Sequence, residues 1–309
     1  MKSPFHAGEL EAQQRAGGGA QGPGIREYMP EQHRAFFAAL PFVAVASTDQ
    51  GWPVATLLTG TPGFVSSPDP QTLRIRAGLD PSDPFARALT PGASAGLLGI
   101  DLATRRRNRA NGVVATADAN GFVLAVTQSF GNCPQYIQAR DVRRVSAATS
   151  STSDIAGGLD DDARAAIARA DTFFVASNAR VGEAAGGVDI SHRGGRPGFV
   201  RVDGDVLTIP DFRGNRYFNT LGNLVSNPRA ALVFVDFERG DLLSLQGTTA
   251  IVWEGAEVRA FPGAERLWRV RVERGWRKRG GLDLRWSFRE LAPTTTATGT
   301  WPANSAGMR

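Results

Sequence analysis

The sequence predicts a mainly β protein, two tandem β-barrels with peripheral helices, and three observations predict it. At 309 residues the chain is long for one compact core, which favours two units of roughly 120–150 residues. Pro62-Gly63-Phe64-Val65 recurs 135 residues later as Pro197-Gly198-Phe199-Val200, and the same register sets 95–101 against 230–236 and Gly112 against Gly247. Most of each copy is written in short apolar or alternating runs broken by Gly, Asp and Pro, the pattern of antiparallel strands.

In chain order, a polar helix over 8–15 and a second over 30–39 lead into the first barrel. Its strands are expected at 42–47, 52–58, 73–77, 95–102, 112–117 and 121–128, with a helix at 84–89. This first unit, with its leading helices, spans 1–145. Residues 146–160, rich in Ser, Thr, Ala and Gly, read as a flexible linker. The second barrel, 161–291, has strands at 173–177, 198–202, 206–210, 231–237, 242–253 and 265–276. One helix over 216–225 interrupts them and is ended by Asn227-Pro228. From 292 to 309 the Thr-, Ala- and Pro-rich chain has no periodicity and reads as a disordered tail.

Composition narrows the function classes. A hydrophobic content of 42% with 21% charged residues suits a globular protein. No apolar leader opens the chain and no run reaches the ~20 residues of a membrane span, so a cytoplasmic protein without a membrane partner is expected. Cys133 is the single cysteine, which excludes an intrachain disulfide and a thiolate cluster. The three histidines, His6, His33 and His192, are scattered, so no metal is expected. The net charge of +5 rests on arginine, since Lys2 and Lys278 are the only lysines. That bias favours anionic partners, a phosphorylated cofactor above nucleic acid, although charge for solubility alone explains it equally well.

The two copies part where a phosphate site is expected. After the strand at 206–210, the second copy runs Asp211-Phe-Arg-Gly-Asn-Arg216 into its helix. Gly214 would let backbone approach a ligand, the helix start offers free N–H groups, and Arg213 or Arg216 adds a fork for phosphate oxygens. The first copy reads Leu79-Asp-Pro-Ser-Asp-Pro84 there, whose carboxylates repel anions and whose prolines lack donors. One site per chain follows. The alternative is a plain turn with an asparagine cap.

At these residues the chain resembles the pyridoxamine 5′-phosphate oxidase-like FMN-binding split-barrel family. The resemblance covers about 160–290. It extends over the first barrel of two-barrel bacterial members through Phe5-His-Ala-Gly-Glu9, Thr104-Arg-Arg-Arg-Asn-Arg109 and Ser129-Phe-Gly-Asn-Cys-Pro-Gln-Tyr-Ile137. It implies tandem split barrels with FMN as cofactor, in a groove between barrels that is commonly a dimer interface. It further implies a phosphate-holding strand from Arg196 through Pro197, Gly198, Phe199 and Val200 to Arg201, and a loop of Gly214, Asn215 and Arg216. Pro210 and Asp211 would lie beside the ring or ribityl chain. The vitamin B6 oxidases end in an Arg-x-His that grips substrate. No histidine stands in the last third here, so pyridoxamine phosphate oxidation is not implied.

The run Arg105-Arg106-Arg107-Asn108-Arg109 is expected on the hairpin between paired strands of the first barrel, its four arginines close enough to repel one another unless an anion is near. They are candidates for the flavin or substrate groove, as is His192, against the plain readings of a basic hairpin and a loop histidine. Cys133 reads as packing, and Trp268, Trp276 and Trp286 as core or interface anchors. The function expected is an FMN-dependent oxidoreductase for a small molecule, with NAD(P)H as one candidate donor and a homodimer left open. A non-catalytic flavin-binding module and a basic nucleic-acid-interacting protein are the alternatives. No catalytic residue is named, because flavin carries its own chemistry.

Overall fold

The computed structural model describes residues 3–302 apart from 21, 23, 147, 148, 181 and 184. The chain opens with α1 (Ala7–Arg15) and α2 (Glu31–Ala39). The first barrel follows as β1 (Phe42–Asp49), β2 (Trp52–Thr59), β3 (Val65–Ser66), β4 (Thr72–Arg76), α3 (Pro84–Ala88), β5 (Ser94–Asp101), β6 (Arg106–Asp118) and β7 (Gly121–Gly131). Next come β8 (Ala139–Arg144), β9 (Ser151–Ile155) and α4 (Asp161–Arg169). The second barrel comprises β10 (Thr172–Asn178), β11 (Val188–Gly194), β12 (Arg201–Asp203), β13 (Val206–Phe212), α5 (Asn219–Ser226), β14 (Arg229–Asp236), β15 (Asp241–Val252), α6 (Ala256–Ala260) and β16 (Ala264–Arg279). The chain ends in β17 (Leu284–Glu290) and α7 (Pro293–Thr296). Among the described residues no helix is long and apolar enough to cross a membrane.

The two sheets share one strand order. The first runs β2-β1-β5-β6-β7-β4-β3 and the second β11-β10-β14-β15-β16-β13-β12, element for element the same. The matched glycines have a common cause. Gly112 and Gly247 sit at β-bulges in β6 and β15, where an added Cβ would meet the carbonyl oxygens of Ala125 and Arg271 at 1.9 and 2.1 Å.

Alternation along the strands produces three cores. Val43 and Val45 of β1 face the first barrel's interior and Phe173 and Val175 of β10 the second's. Their neighbours Phe42, Ala44 and Ala46 meet Phe174 and Ala176 in a third core between the barrels. Strands buried on both faces read as unbroken apolar runs, as these do. Trp286 joins this interface edge-on to Phe42 and Phe237, both at 5.3 Å between centroids, and Trp268 is buried in the second barrel.

The Pro-Gly-Phe part of the repeat is a turn, and the strand expected at 198–202 starts only at Arg201, with β12. Gly63 and Gly198 take φ of +95° and +86°, and Phe64 and Phe199 drop into their barrels. Each ring lies against a preceding glycine. A Cβ on Gly60 or Gly195 would approach Phe64 or Phe199 to 2.3 and 2.4 Å.

Three further expectations are corrected. α1 does not belong with the first barrel: it packs on α5 of the second, so closely that a Cβ on Gly8 would stand 2.3 Å from the Gly222 oxygen. The linker contains β9, which adds to β16. Residues 292–302 are not loose, because Ala292 N donates to Gln138 Oε1, Thr295 is fully buried, and Trp301 packs on Phe261 and donates from Nε1 to the Phe199 oxygen. Composition alone cannot reveal such anchors. Residues 303–309 lie outside the described residues.

Phe199→Ala is expected to lower the unfolding free energy by about 3–5 kcal/mol, as for other buried aromatic truncations. Denaturant titration checks this, and an unchanged midpoint would contradict the barrel-plug role.

Candidate functional site

β11 is an edge strand, bonded to β10 alone, and its outer side faces the first barrel. There it forms one wall of a cleft of about 100 Å³. Ser191, His192 and Arg193 come from β11, Asp211 and Phe212 from the end of β13, and Gly214, Asn215 and Arg216 from the following loop. Phe218 to Leu221 of α5 and Arg266 of β16 complete the second-barrel side, while Arg107, Arg109 and Asn132 reach in from the first barrel.

The loop differs from its expected form. α5 begins at Asn219, not at 216, because Arg216 and Phe218 adopt left-handed φ of +61° and +62°. Two such residues so close are unusual outside functional or strained segments. Asn215 Oδ1 accepts from Tyr217 N, as in an ordinary Asx turn. Arg216 turns away from a phosphate role and donates to the Ala16 and Gly18 oxygens at the end of α1. Arg213 is exposed and does not line the cleft. No side chain caps α5, so its first N–H groups stay available at the cleft.

The expected strand from Arg196 to Val200 lies elsewhere. Arg196 donates to the Thr295 and Thr296 oxygens, Phe199 and Val200 are core, and Pro197 lines a separate groove beside α4. Pro210 is buried in β13 opposite Leu267, and its neighbour Asp211 reaches the cleft. Of Arg105, Arg106 and Arg107 only Arg107 lines it. Arg105 bonds to Ile137 and Glu290, and Arg106 lies over the Phe36 ring at 5.0 Å. The strand period explains the split: 107 and 109 share one face of β6 and 106 the other. Arg109, the last arginine of the expected basic hairpin, does line the cleft, whereas Ser191, Arg193, Asn132 and Arg266 were not read as site residues from the sequence. The 135-residue register, which pairs Ser191 to Arg193 with Thr56 to Leu58, was the signal that could have found β11.

Five arginines and two carboxylates line the cleft. Asp211 accepts from Arg193 at 2.5 Å and Arg266 at 2.8 Å, and Arg266 also meets Glu265 at 2.8 Å. Behind them Arg109 pairs with Asp189 at 2.9 Å. Four buried nitrogens on these walls have no partner: Arg109 Nε, Asn132 Nδ2, His192 Nε2 and Arg193 Nε. Buried donors without acceptors are rare and costly. Burial, reinforced by Arg107, Arg140 and Arg193, holds His192 well below the usual imidazole range, so it is neutral at pH 7.

The corresponding place in the first barrel has its charges already paired. Thr56, Leu57 and Leu58 of β2 and the 77–86 segment line a cavity of about 80 Å³. Lys278 of the second barrel also lines it, 2.9 Å from Asp80 and 3.8 Å from Asp83, while Thr56 Oγ1 donates to Asp83 at 2.8 Å. Ser82 and then Lys278 hold the Asp80 carboxyl down to about 2. In the 135-residue register, Arg107 and Arg109 correspond to Leu242 and Ser244, so the cations were not repeated on that side.

The N-terminal segment braces the open cleft. His6 caps α1 and reaches Glu183 at 3.1 Å and Asn223 at 2.9 Å, and Glu9 accepts from His6 N at 3.0 Å. Glu9 also accepts from Asn219, which lines the cleft. Burial, and next the nearby Asp189, push Glu9 up to about 7.

The profile of the pyridoxamine 5′-phosphate oxidase family matches residues 159–280. No curated protein matches the chain. Among solved structures, HupZ from Group A Streptococcus is 19% identical over 38% of this chain and 91% of its own, with a TM-score of 0.30. A FAD-binding protein from Mesorhizobium loti is 12% identical over 42% and 99%, TM-score 0.29. A FAD and heme binding protein from Mycobacterium smegmatis is 15% identical over 35% and 72%, TM-score 0.25.

Glu9 yields a pH prediction. With its pKa raised from 4.5 to about 7, the folded state keeps a proton the unfolded chain releases. The stability this provides is full below about 4.5 and is lost as pH rises to about 7, roughly 3 kcal/mol across the window. Glu9→Gln should flatten that slope relative to wild type in denaturant titrations at pH 4.5–8, and parallel curves would refute the buried proton.

Proposed function

We propose that this chain, whose residues 159–280 form a pyridoxamine 5′-phosphate oxidase-like split barrel, binds one FMN in the cleft between its two barrels and acts as a redox protein on a small molecule. The observation that carries the reading is the gathering of arginines and unpartnered buried donors on the residues that line this cleft, against the charge-paired counterpart at Lys278.

The donor set suits an acceptor-rich, anionic cofactor. A cleft of about 100 Å³ has room for a phosphate-sized group. The free N–H groups of α5, the Gly214–Asn215 backbone and Arg193 would hold the phosphate. When bound, FMN supplies hydride or electron transfer. The chain's own part is position and charge: Asp211 fixes Arg193 and Arg266, and Asp189 fixes Arg109. Both walls come from one chain, so a second copy is not required to complete this cleft. NAD(P)H as donor, and a reaction rather than mere cofactor storage, are parts of the proposal that reduction assays decide.

Gly214 offers a specific probe, since a Cβ there meets nothing within 4 Å. Gly214→Val should leave stability within about 0.5 kcal/mol yet weaken FMN binding at least tenfold by occupying the ligand's approach. Purified protein should absorb in the flavin bands or take up FMN on reconstitution, and NAD(P)H should bleach it anaerobically. Protein that stays colourless with excess FMN would overturn the reading.

A further inference from the structure

Among the described residues two of the cleft arginines, Arg107 and Arg216, have no carboxylate partner, and Arg107 is the one that the first barrel supplies. Arg109 has Asp189, and Arg193 and Arg266 share Asp211 with Glu265 beside them. Arg216 caps the carbonyls that end α1. Among the described residues Arg107 has no carboxylate partner. Its Nε donates to the Cys133 oxygen at 2.7 Å, and Nη1 lies 3.4 Å from His192 Nδ1 and 3.5 Å from the His192 oxygen. Burial pushes Arg107 down to about 10, which leaves it cationic at neutral pH. Arg107 is half-buried at the cleft, and a cation partly withdrawn from water without a carboxylate partner is favoured by an anion that joins it.

Arg107 also fixes the chemistry of its neighbour. A guanidinium can only donate, so His192 Nδ1 accepts and the ring proton sits on Nε2. That N–H is buried, has no partner, and belongs to a side chain in a residue only 5% exposed. Asn132 Nδ2, on the same first-barrel wall, is a second unpartnered donor.

We propose that Arg107, with the His192 Nε2–H and Asn132 amide donors, forms an oxyanion subsite on the first-barrel side of the cleft that receives the carboxylate or phosphate of the small-molecule substrate. The substrate assignment rests on the flavin reading above; the oxyanion subsite does not. Arg107 sets the charge, and the two neutral donors set the geometry. A neutral substrate of the same shape leaves the cation unpaired and is discriminated against.

The test uses the full-length protein and inorganic sulfate, with acetate as the carboxylate probe and acetamide as the neutral control, at constant ionic strength. Sulfate and acetate should raise the melting temperature saturably and acetamide should not. Arg107→Met should weaken both at least tenfold, with Arg107→Lys retaining most of the response. Wild-type protein with no saturable anion effect overturns the proposal without any variant, as does unchanged binding in Arg107→Met. Repeating the titration on FMN-loaded protein separates two sources of the oxyanion. Retained sulfate binding assigns the subsite to substrate, and its loss gives the subsite to the cofactor's phosphate and overturns the substrate assignment. Should no FMN load, the flavin reading and with it the substrate assignment fail, and the subsite stands or falls on the flavin-free titration.

Discussion

Back-to-back packing of two equivalent sheet faces governs this molecule. β1, β2 and β5 present Phe42, Ala44, Ala46, Ala55, Leu57 and Leu98 to the matching faces of β10, β11 and β14. Because successive side chains alternate, the same strands must also line their own barrels, so neither barrel can shift without exposing apolar surface on one side or the other. At roughly 25 cal/mol per Å² of apolar surface, even a modest opening of such a face is strongly unfavourable. The interface therefore fixes where β6 of one barrel ends relative to β11 of the other, and the cleft is what remains between them.

Equivalent halves in this arrangement produce two clefts, and the sequence treats them differently. One received arginines from the facing barrel and a loop that leaves α5 uncapped. The other received Lys278, Asp80 and Asp83, which satisfy one another. An internal ion pair does for the first barrel what a bound anion would do for the second. The contrast is one of charge placement within the same backbone plan, and it makes the open cleft the functional candidate.

The remaining polar groups hold the open side in shape. Asn223 receives His6 and donates to Asp189 at 2.9 Å; Asp189 in turn binds Arg109 and Asn111. Segments from the N-terminus, both barrels and α5 thus meet in one buried network, whose bonds hold only while all the segments stay in place. His6 and Arg109, far apart in sequence, are joined by this meeting.

The β architecture, the doubled register and the difference in charge between the 211–216 and 79–84 segments were legible in the sequence, because alternation, turn residues and charge are local properties. Gly112 and Gly247 could be matched before their bulges were seen, for a bulge that leaves no room for Cβ demands glycine in both copies. The Pro-Gly-Phe-Val turn was misplaced as a ligand strand because a buried phenylalanine next to a left-handed glycine looks, in one dimension, like part of a strand. Which arginines share the cleft was decided by tertiary structure alone. Arg105, Arg106 and Arg107 are consecutive, but strand pleat and barrel docking send them to three environments, and only the one facing β11 lines the cleft without a carboxylate. Local chemistry is written residue by residue; the pairing of charges across an interface exists only once both faces have been buried against each other.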